Sequence, residues 1–243
     1  MVTKPRELEI RQGVRKEMIR AWNSRGLFWA TEPPVLKFLY QVPRIIGEQL
    51  GFKIEEPPEL QMEDLQRLRV QPQHRIAGFF DRSAKRIVVL RDCREEIRRY
   101  TLAHELTHLI VHPNELLHRD RFVSGAERAS PGRPEIEIEA DIGASELLMP
   151  QRSIEEQFFN RFDAEIDGRI MTAEISQLIH ELRLPRNRAI KGSDFVTSQQ
   201  DYRAFVIAMA VGWGLRHFPS LASAFRVSPT AMAIRLKELE LVL

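Results

Sequence analysis

The chain has 243 residues, 43% of them hydrophobic and 29% charged, a composition that excludes a disordered or membrane-embedded chain and suits one or two packed units. Its 36 Lys and Arg stand against 34 Asp and Glu, so a net charge of +2 gives no electrostatic reason to assume a nucleic-acid partner. No apolar run reaches the roughly eighteen residues of a membrane span, and the first ten residues lack the apolar segment of a signal peptide, so a cytoplasmic location with no membrane partner is expected. The single Cys93 excludes an internal disulfide and a cysteine-rich zinc cluster, so any metal must bind through His and carboxylates.

Residues 1–30 carry seven Lys and Arg against three Glu, with Trp22 and Trp29 among them, and read as a basic helical arm over 1–34. A helix docked on the core through these aromatics is preferred to an arm reaching a partner. A second helical pattern follows over 35–50, then a short strand, Phe52 to Glu55. Arg75–Asp81 and Lys85–Arg91 read as two strands around a turn at Arg82-Ser-Ala.

Asp92, three residues before Glu95, reads as the N-cap of the next helix, which Pro113 ends. Its apolar residues Ile97, Leu102, Ala103, Leu106, Leu109 and Ile110 recur at helical spacing. In its middle lies His104-Glu-Leu-Thr-His108. Residues four apart share a helix face with Cβ atoms about 5–6 Å apart, so both rings can reach one metal at about 2.0–2.1 Å. Glu105, turned by about 100° from His104, is placed to move a proton between a metal-activated water and a leaving amine.

A hydrolytic zinc site takes a third protein ligand. Pro134 is expected in the first turn of a further helix that continues to Met149 and stops at Pro150. On it Glu137 and Asp141 share a face: Glu137 is the expected third ligand, and Asp141 the acceptor for the free N–H of a ligand histidine. Glu139, on another side of this helix, is the rival ligand, whereas Glu135 and Glu146 read as solvated positions. Candidates to stabilise an oxyanion are Tyr100, His112 and His118. His112 could equally be a cleft wall or an adventitious ligand, and His74, His180 and His217 read as ordinary surface or packed histidines.

After Pro150 the chain reads as helical. Ser153 with Glu156 suggests a capping box, 175–184 is amphipathic, and Tyr202 to Leu215 is apolar enough for a core helix. Leu221–Arg226, a turn at Val227-Ser-Pro229 and Thr230–Leu239 have a helix-turn-helix layout, with Arg235 and Lys237 as candidate DNA or partner contacts. Packing or substrate docking is preferred over DNA recognition, because the second helix offers few side chains suited to base edges. In that reading Leu221, Phe225, Met232, Ile234 and Leu236 are buried, and Arg235 and Lys237 solvated.

The stretch Arg99-Tyr-Thr-Leu-Ala-His-Glu-Leu-Thr-His-Leu-Ile-Val-His112, followed by Glu137-Ile-Glu-Ala-Asp-Ile-Gly-Ala-Ser-Glu-Leu-Leu-Met-Pro150, resembles the ImmA/IrrE-type metallopeptidases. Ala77-Gly-Phe-Phe-Asp81 with Arg86-Ile-Val-Val-Leu90 is similar to that family's strand pair, and 221–239 to the segment after its catalytic core. The resemblance covers roughly 72–150 and 219–243. The stretch 150–221 is longer than a compact member needs, and 111–134 is a long, charged connection.

The resemblance implies an α+β fold: a zincin-like core over 35–165 with a small antiparallel sheet on the metal helix, then a helical region over 166–243 with a helix-turn-helix-like segment at 219–243. It implies a zinc-dependent, or manganese-dependent, endopeptidase. The sheet edge would pair with an extended substrate, and the substrate would be a helix-turn-helix repressor on a separate chain, cut so that its target genes are derepressed. The competing class is a zinc-containing regulatory module that binds a partner or DNA without cleaving; Glu105 argues against it, since a structural site needs no general base.

Overall fold

The computed structural model describes residues 2–26, 36–69, 76–121, 133–162, 198–213 and 215–242, with only the backbone at 37 and 118–121. Trp29, His74, His180, the expected helix 175–184 and the expected boundaries at 34 and 165 lie outside them. The described residues form two compact units, 2–121 with 133–148, and 149–162 with 198–242.

In the first unit, helix α1 spans Lys4–Asn23, with the Thr3 hydroxyl accepting from the Arg6 N–H and Pro5 in its first turn. Ile10, Val14, Met18, Ala21 and Trp22 are its buried stripe. Helices α2 (Leu36–Leu39) and α3 (Val42–Gln49) follow. Trp22 meets Phe38 edge-on, ring centroids 4.4 Å apart. The helical pattern over 35–50 is thus two helices, parted where Pro43 occupies the first turn of the second. Strand β1 (Lys53–Glu55) and helix α4 (Met62–Arg67) lead to the strands β2 (Ile76–Asp81) and β3 (Arg86–Val89). Next come helix α5 (Glu95–Val111), strand β4 (Leu117–Arg121) and helix α6 (Glu135–Leu148).

The four strands form one sheet in the order β1-β3-β2-β4. β2 pairs antiparallel with both β3 and β4, but β1 runs parallel to β3, which corrects the expectation of an antiparallel sheet. The connection from β1 to β3 contains α4 and β2, long enough for the crossover that a parallel pair needs. β2 is buried throughout; on one face Phe79 joins Leu68, Ile76 and Val88 in a core cluster.

Two glycines set how closely α5 is approached. A Cβ on Gly78 of β2 would lie 2.6 Å from Thr101 Cγ2 of α5, and one on Gly143 of α6 would lie 2.3 Å from Thr107 Cγ2. Helix α5 therefore packs at nearly backbone distance against strand and helix alike. It begins at Glu95 with Arg94 as an N-cap that makes no side-chain bond, so the Asp92 cap is not formed; the acidic first turn, Glu95 and Glu96, complements the helix dipole instead.

The second unit begins with helix α7 (Gln151–Phe162). Ser153 is inside it and buried, so the predicted capping box is absent: Pro150 supplies the first carbonyl, accepting from Ile154 N–H at 3.0 Å. Helix α8 (Gln199–Met209) has a capping box of Ser198 with Asp201. It ends earlier than the apolar pattern suggests, because Ala210 turns extended and the hairpin β5 (Gly212–Trp213) and β6 (Arg216–His217) follows. Helix α9 (Leu221–Phe225) and helix α10 (Pro229–Glu238) are joined by a turn with Arg226 in the left-handed region and Ser228 capping α10. Among the described residues no helix is long and apolar enough to cross a membrane.

Candidate metal centre

Helices α5 and α6 bring three of the predicted residues together. His104 and His108 are 1% and 0% exposed, and their Nε2 atoms are 3.2 Å apart. Glu137, in the acidic first turn of α6, places Oε2 at 3.3 Å from His104 Nε2 and Oε1 at 4.0 Å from His108 Nε2. Four ligands around a metal at about 2.0–2.1 Å lie about 3.3 Å from one another, so these separations fit a single tetrahedral ion.

The surrounding bonds decide which nitrogens carry hydrogen. His104 Nδ1 is 3.1 Å from Asp141 Oδ1, so the ring donates there and its Nε2 is a bare lone pair. Asp141 also accepts from the Tyr100 hydroxyl and from Arg133, whose other amine is 3.7 Å from Glu137. The two Nε2 atoms and the Glu137 carboxylate converge within reach of one cation. The donor set, two imidazoles and one carboxylate, suits zinc. Glu105, next to His104, is 0% exposed.

A second group within metal reach, His108, His112 and Glu115, shares His108 with the first. His108 Nδ1 lies 3.0 Å from His112 Nδ1 and 3.0 Å from Glu115 Oε2. His112 turns its Nε2 to Glu139 Oε2 at 2.8 Å, and so neither faces the cluster nor stands free for an oxyanion. Tyr100 likewise is engaged by Asp141. For His118 only the backbone is described, opposite Phe80 on β4.

Glu139, the rival ligand, is turned away from the cluster. Arg6 of α1 grips both its oxygens at 2.8 and 2.7 Å, and chiefly this bond, against the cost of burial and with help from His112, lowers its pKa from 4.5 to about 2. Glu146, read from the sequence as solvated, is 1% exposed and binds Arg11 and Arg15 of α1 at 3.3 and 2.7 Å. Arginines of the basic first helix are thus spent inward, on α6.

Arg82, in the turn after β2, donates to the carbonyls of Leu109, His112 and Glu115 at 3.3, 3.2 and 2.8 Å. It satisfies carbonyls at the end of α5 and just beyond it, a task that Pro113 alone does not perform. Reading the sequence missed Arg6, Arg82, Glu115 and Arg133. Only Arg133 left a local signal, as the residue four before Glu137.

The two C-terminal candidates are not placed for DNA. Arg235 is 1% exposed, with Nε donating to Met149 O at 3.1 Å and Nη1 to Glu238 at 3.0 Å, so it is neither a phosphate contact nor solvated. Lys237 pairs with Asp201 of α8. Ile234, expected inside, is 40% exposed, while Leu221, Phe225, Met232 and Leu236 are buried. His217 is exposed on β6.

The comparison with curated proteins gives no match. The family model of the peptidase described as the IrrE N-terminal-like domain matches residues 48–183, more than half of the chain. The match contains every residue of the α5/α6 cluster and stops before 219–243. The α+β fold, the buried His/Glu cluster and this match agree: the chain belongs to the IrrE N-terminal-like family of metallopeptidases.

Proposed function

We propose that the protein is a zinc-dependent endopeptidase whose substrate is a helix-turn-helix transcriptional repressor, and that cleavage derepresses the repressor's stress-response or mobile-element genes. The observation that carries the enzymatic part is the convergence of two imidazole nitrogens and one carboxylate at 3.2, 3.3 and 4.0 Å on two helices.

His104, His108 and Glu137 would hold the ion. Zinc there would polarise the scissile carbonyl as a Lewis acid and bring the pKa of a water towards neutrality. Glu105 takes the proton of the attacking water as the new C–O bond forms, and returns it to the amide nitrogen as the C–N bond breaks. Asp141 keeps His104 in the tautomer that leaves Nε2 bare, and Tyr100 and Arg133 hold Asp141. β4 is an edge of the sheet, and its outer side is suited to pair with an extended substrate backbone. The repressor as substrate is supported by the family resemblance.

The test mixes the metal-loaded protein, and its Glu105→Gln variant, with the helix-turn-helix repressor encoded beside it, followed by mass spectrometry. A discrete fragment is expected from the parent, with a rate loss of about 10²–10⁴-fold in the variant. Equal absence of fragments from both, with metal bound and the repressor retained, would replace the reading with a binding module.

A further inference from the structure

His108 meets His112 nitrogen to nitrogen, Nδ1 to Nδ1 at 3.0 Å. A hydrogen bond between two ring nitrogens needs one N–H and one lone pair, and the pair alone does not say which is which. The answer lies one contact further on. His112 Nε2 is 2.8 Å from Glu139 Oε2, and Glu139 is held by Arg6 through both oxygens. A carboxylate only accepts, so His112 Nε2 carries the hydrogen. A neutral imidazole has one N–H, which leaves His112 Nδ1 as an acceptor. The hydrogen in the 3.0 Å contact therefore belongs to His108 Nδ1. His108 Nε2 is then the bare lone pair, on the side of His104 and Glu137.

We propose that Arg6, Glu139 and His112 are positioning residues for metal binding: by a one-way chain of hydrogen bonds they fix the tautomer and ring orientation of His108, so that its Nε2 is presented to the ion. This rests on His108 being a ligand, as in the proposed function. The two ligand histidines are then oriented by different means, His104 by a carboxylate directly and His108 by a carboxylate acting through a second imidazole. The anchor of that second chain is the first helix of the molecule, because Arg6 lies on α1. The chain also argues against an ion in the group His108, His112 and Glu115, since the His108 nitrogen facing that group is the one bearing hydrogen. Glu115 Oε2, also 3.0 Å from His108 Nδ1, is the rival acceptor that the experiment must separate.

The full chain is titrated with Zn2+ in competition with a chromophoric chelator, and histidine tautomers in the metal-free protein are read by long-range proton–nitrogen NMR. His112→Phe keeps a ring but removes the acceptor, and is expected to weaken zinc binding about 10–100-fold. His112→Asn sets Oδ1 where Nδ1 was, and is expected to recover most of that loss, which a purely space-filling role would not allow. Glu139→Ala is expected to weaken binding in the parent but not in the His112→Asn background, where no ring is left to orient. The NMR spectrum should show His108 with hydrogen on Nδ1 and His112 with hydrogen on Nε2.

Parent-like affinity in His112→Phe overturns the proposal, as does an Asn variant no better than Phe. It is equally overturned if Glu115→Ala, and not His112→Phe, produces the loss. If His108→Phe binds zinc as tightly as the parent, the failure is that of the ligand assignment, which distinguishes it from failure of the relay.

Discussion

Arg235 on α10 and His104 on α5 are both 1% exposed, but their surroundings differ in kind. Around Arg235 every named contact is a donor meeting an acceptor, the Met149 carbonyl and the Glu238 carboxylate. Between α5 and α6 the outer atoms of the cluster are satisfied in the same way, while its inner ring nitrogens and the Glu137 carboxylate face one another. Buried charge therefore does not by itself mark a site in this molecule. What sets the α5/α6 cluster apart is that two imidazoles and a carboxylate converge on one another within metal reach.

Chelation separates the two regions most strongly. If the α5/α6 cluster binds zinc, an excess of about 1,000 times Kd adds about 4 kcal/mol to the stability of that unit. Hydrogen exchange should then show α5 and α6 losing protection with a chelator, and α10 unchanged; equal loss in both would break the contrast. Next in size is Gly143→Val, whose new side chain enters the space of Thr107. Overpacking of this sort costs about 1–3 kcal/mol, and a unit pushed apart here should also bind metal less tightly. Thr107→Ala in the same chain should return part of both losses, measured by urea unfolding and metal titration.

Arg235→Ala tests the other side. It strands the Met149 carbonyl, for a cost of about 1–3 kcal/mol, and should leave metal affinity untouched. A change in metal affinity would mean that the C-terminal helices contribute to the centre.

The smallest effect concerns acid. Glu139 has a folded pKa of about 2 against an ordinary 4.5, so the native state binds fewer protons than the unfolded one in between. The stability it contributes is complete above about pH 4.5 and is lost as pH falls towards about 2. Arg6→Gln should flatten that part of the acid limb, read from urea midpoints at several pH values; an unaltered limb would show that the guanidinium is not what holds Glu139 ionised.

What the sequence disclosed was what periodicity encodes. His104 and His108 are one helical turn apart, as are Glu137 and Asp141, so both faces of the cluster could be drawn from spacing alone. That Asp141 meets His104, and that Glu137 and not Glu139 turns towards the rings, follows from the side of α6 that packs on α5. The supports were illegible because they are distant: 133 residues separate Arg6 from Glu139, and 30 separate Arg82 from the carbonyl of His112. No local pattern says which of 36 basic side chains will find which of 34 acidic ones. The misread boundaries have a similar origin. Asp92 and Ser153 have the chemistry of caps, but α5 starts two residues later under Arg94 and α7 starts earlier on the carbonyl of Pro150. The parallel pairing of β1 was hidden too, since three residues carry no signal of strand direction.

Among the described residues the sheet has two margins, β1 and β4, and an unpaired margin is a template on which further copies of the same chain can stack. Here β1 is three residues long with Lys53 and Glu55 at its ends, and β4 reads Leu-His-Arg-Asp-Arg. Shortness at the first margin and a charged sequence at the second are two of the means by which natural sheets resist fibril-like growth. Were β4 the strand that receives a substrate, the charge in its sequence would set that pairing apart from pairing with a second copy of the chain, and Arg119→Val with Arg121→Val should raise aggregation measured by light scattering.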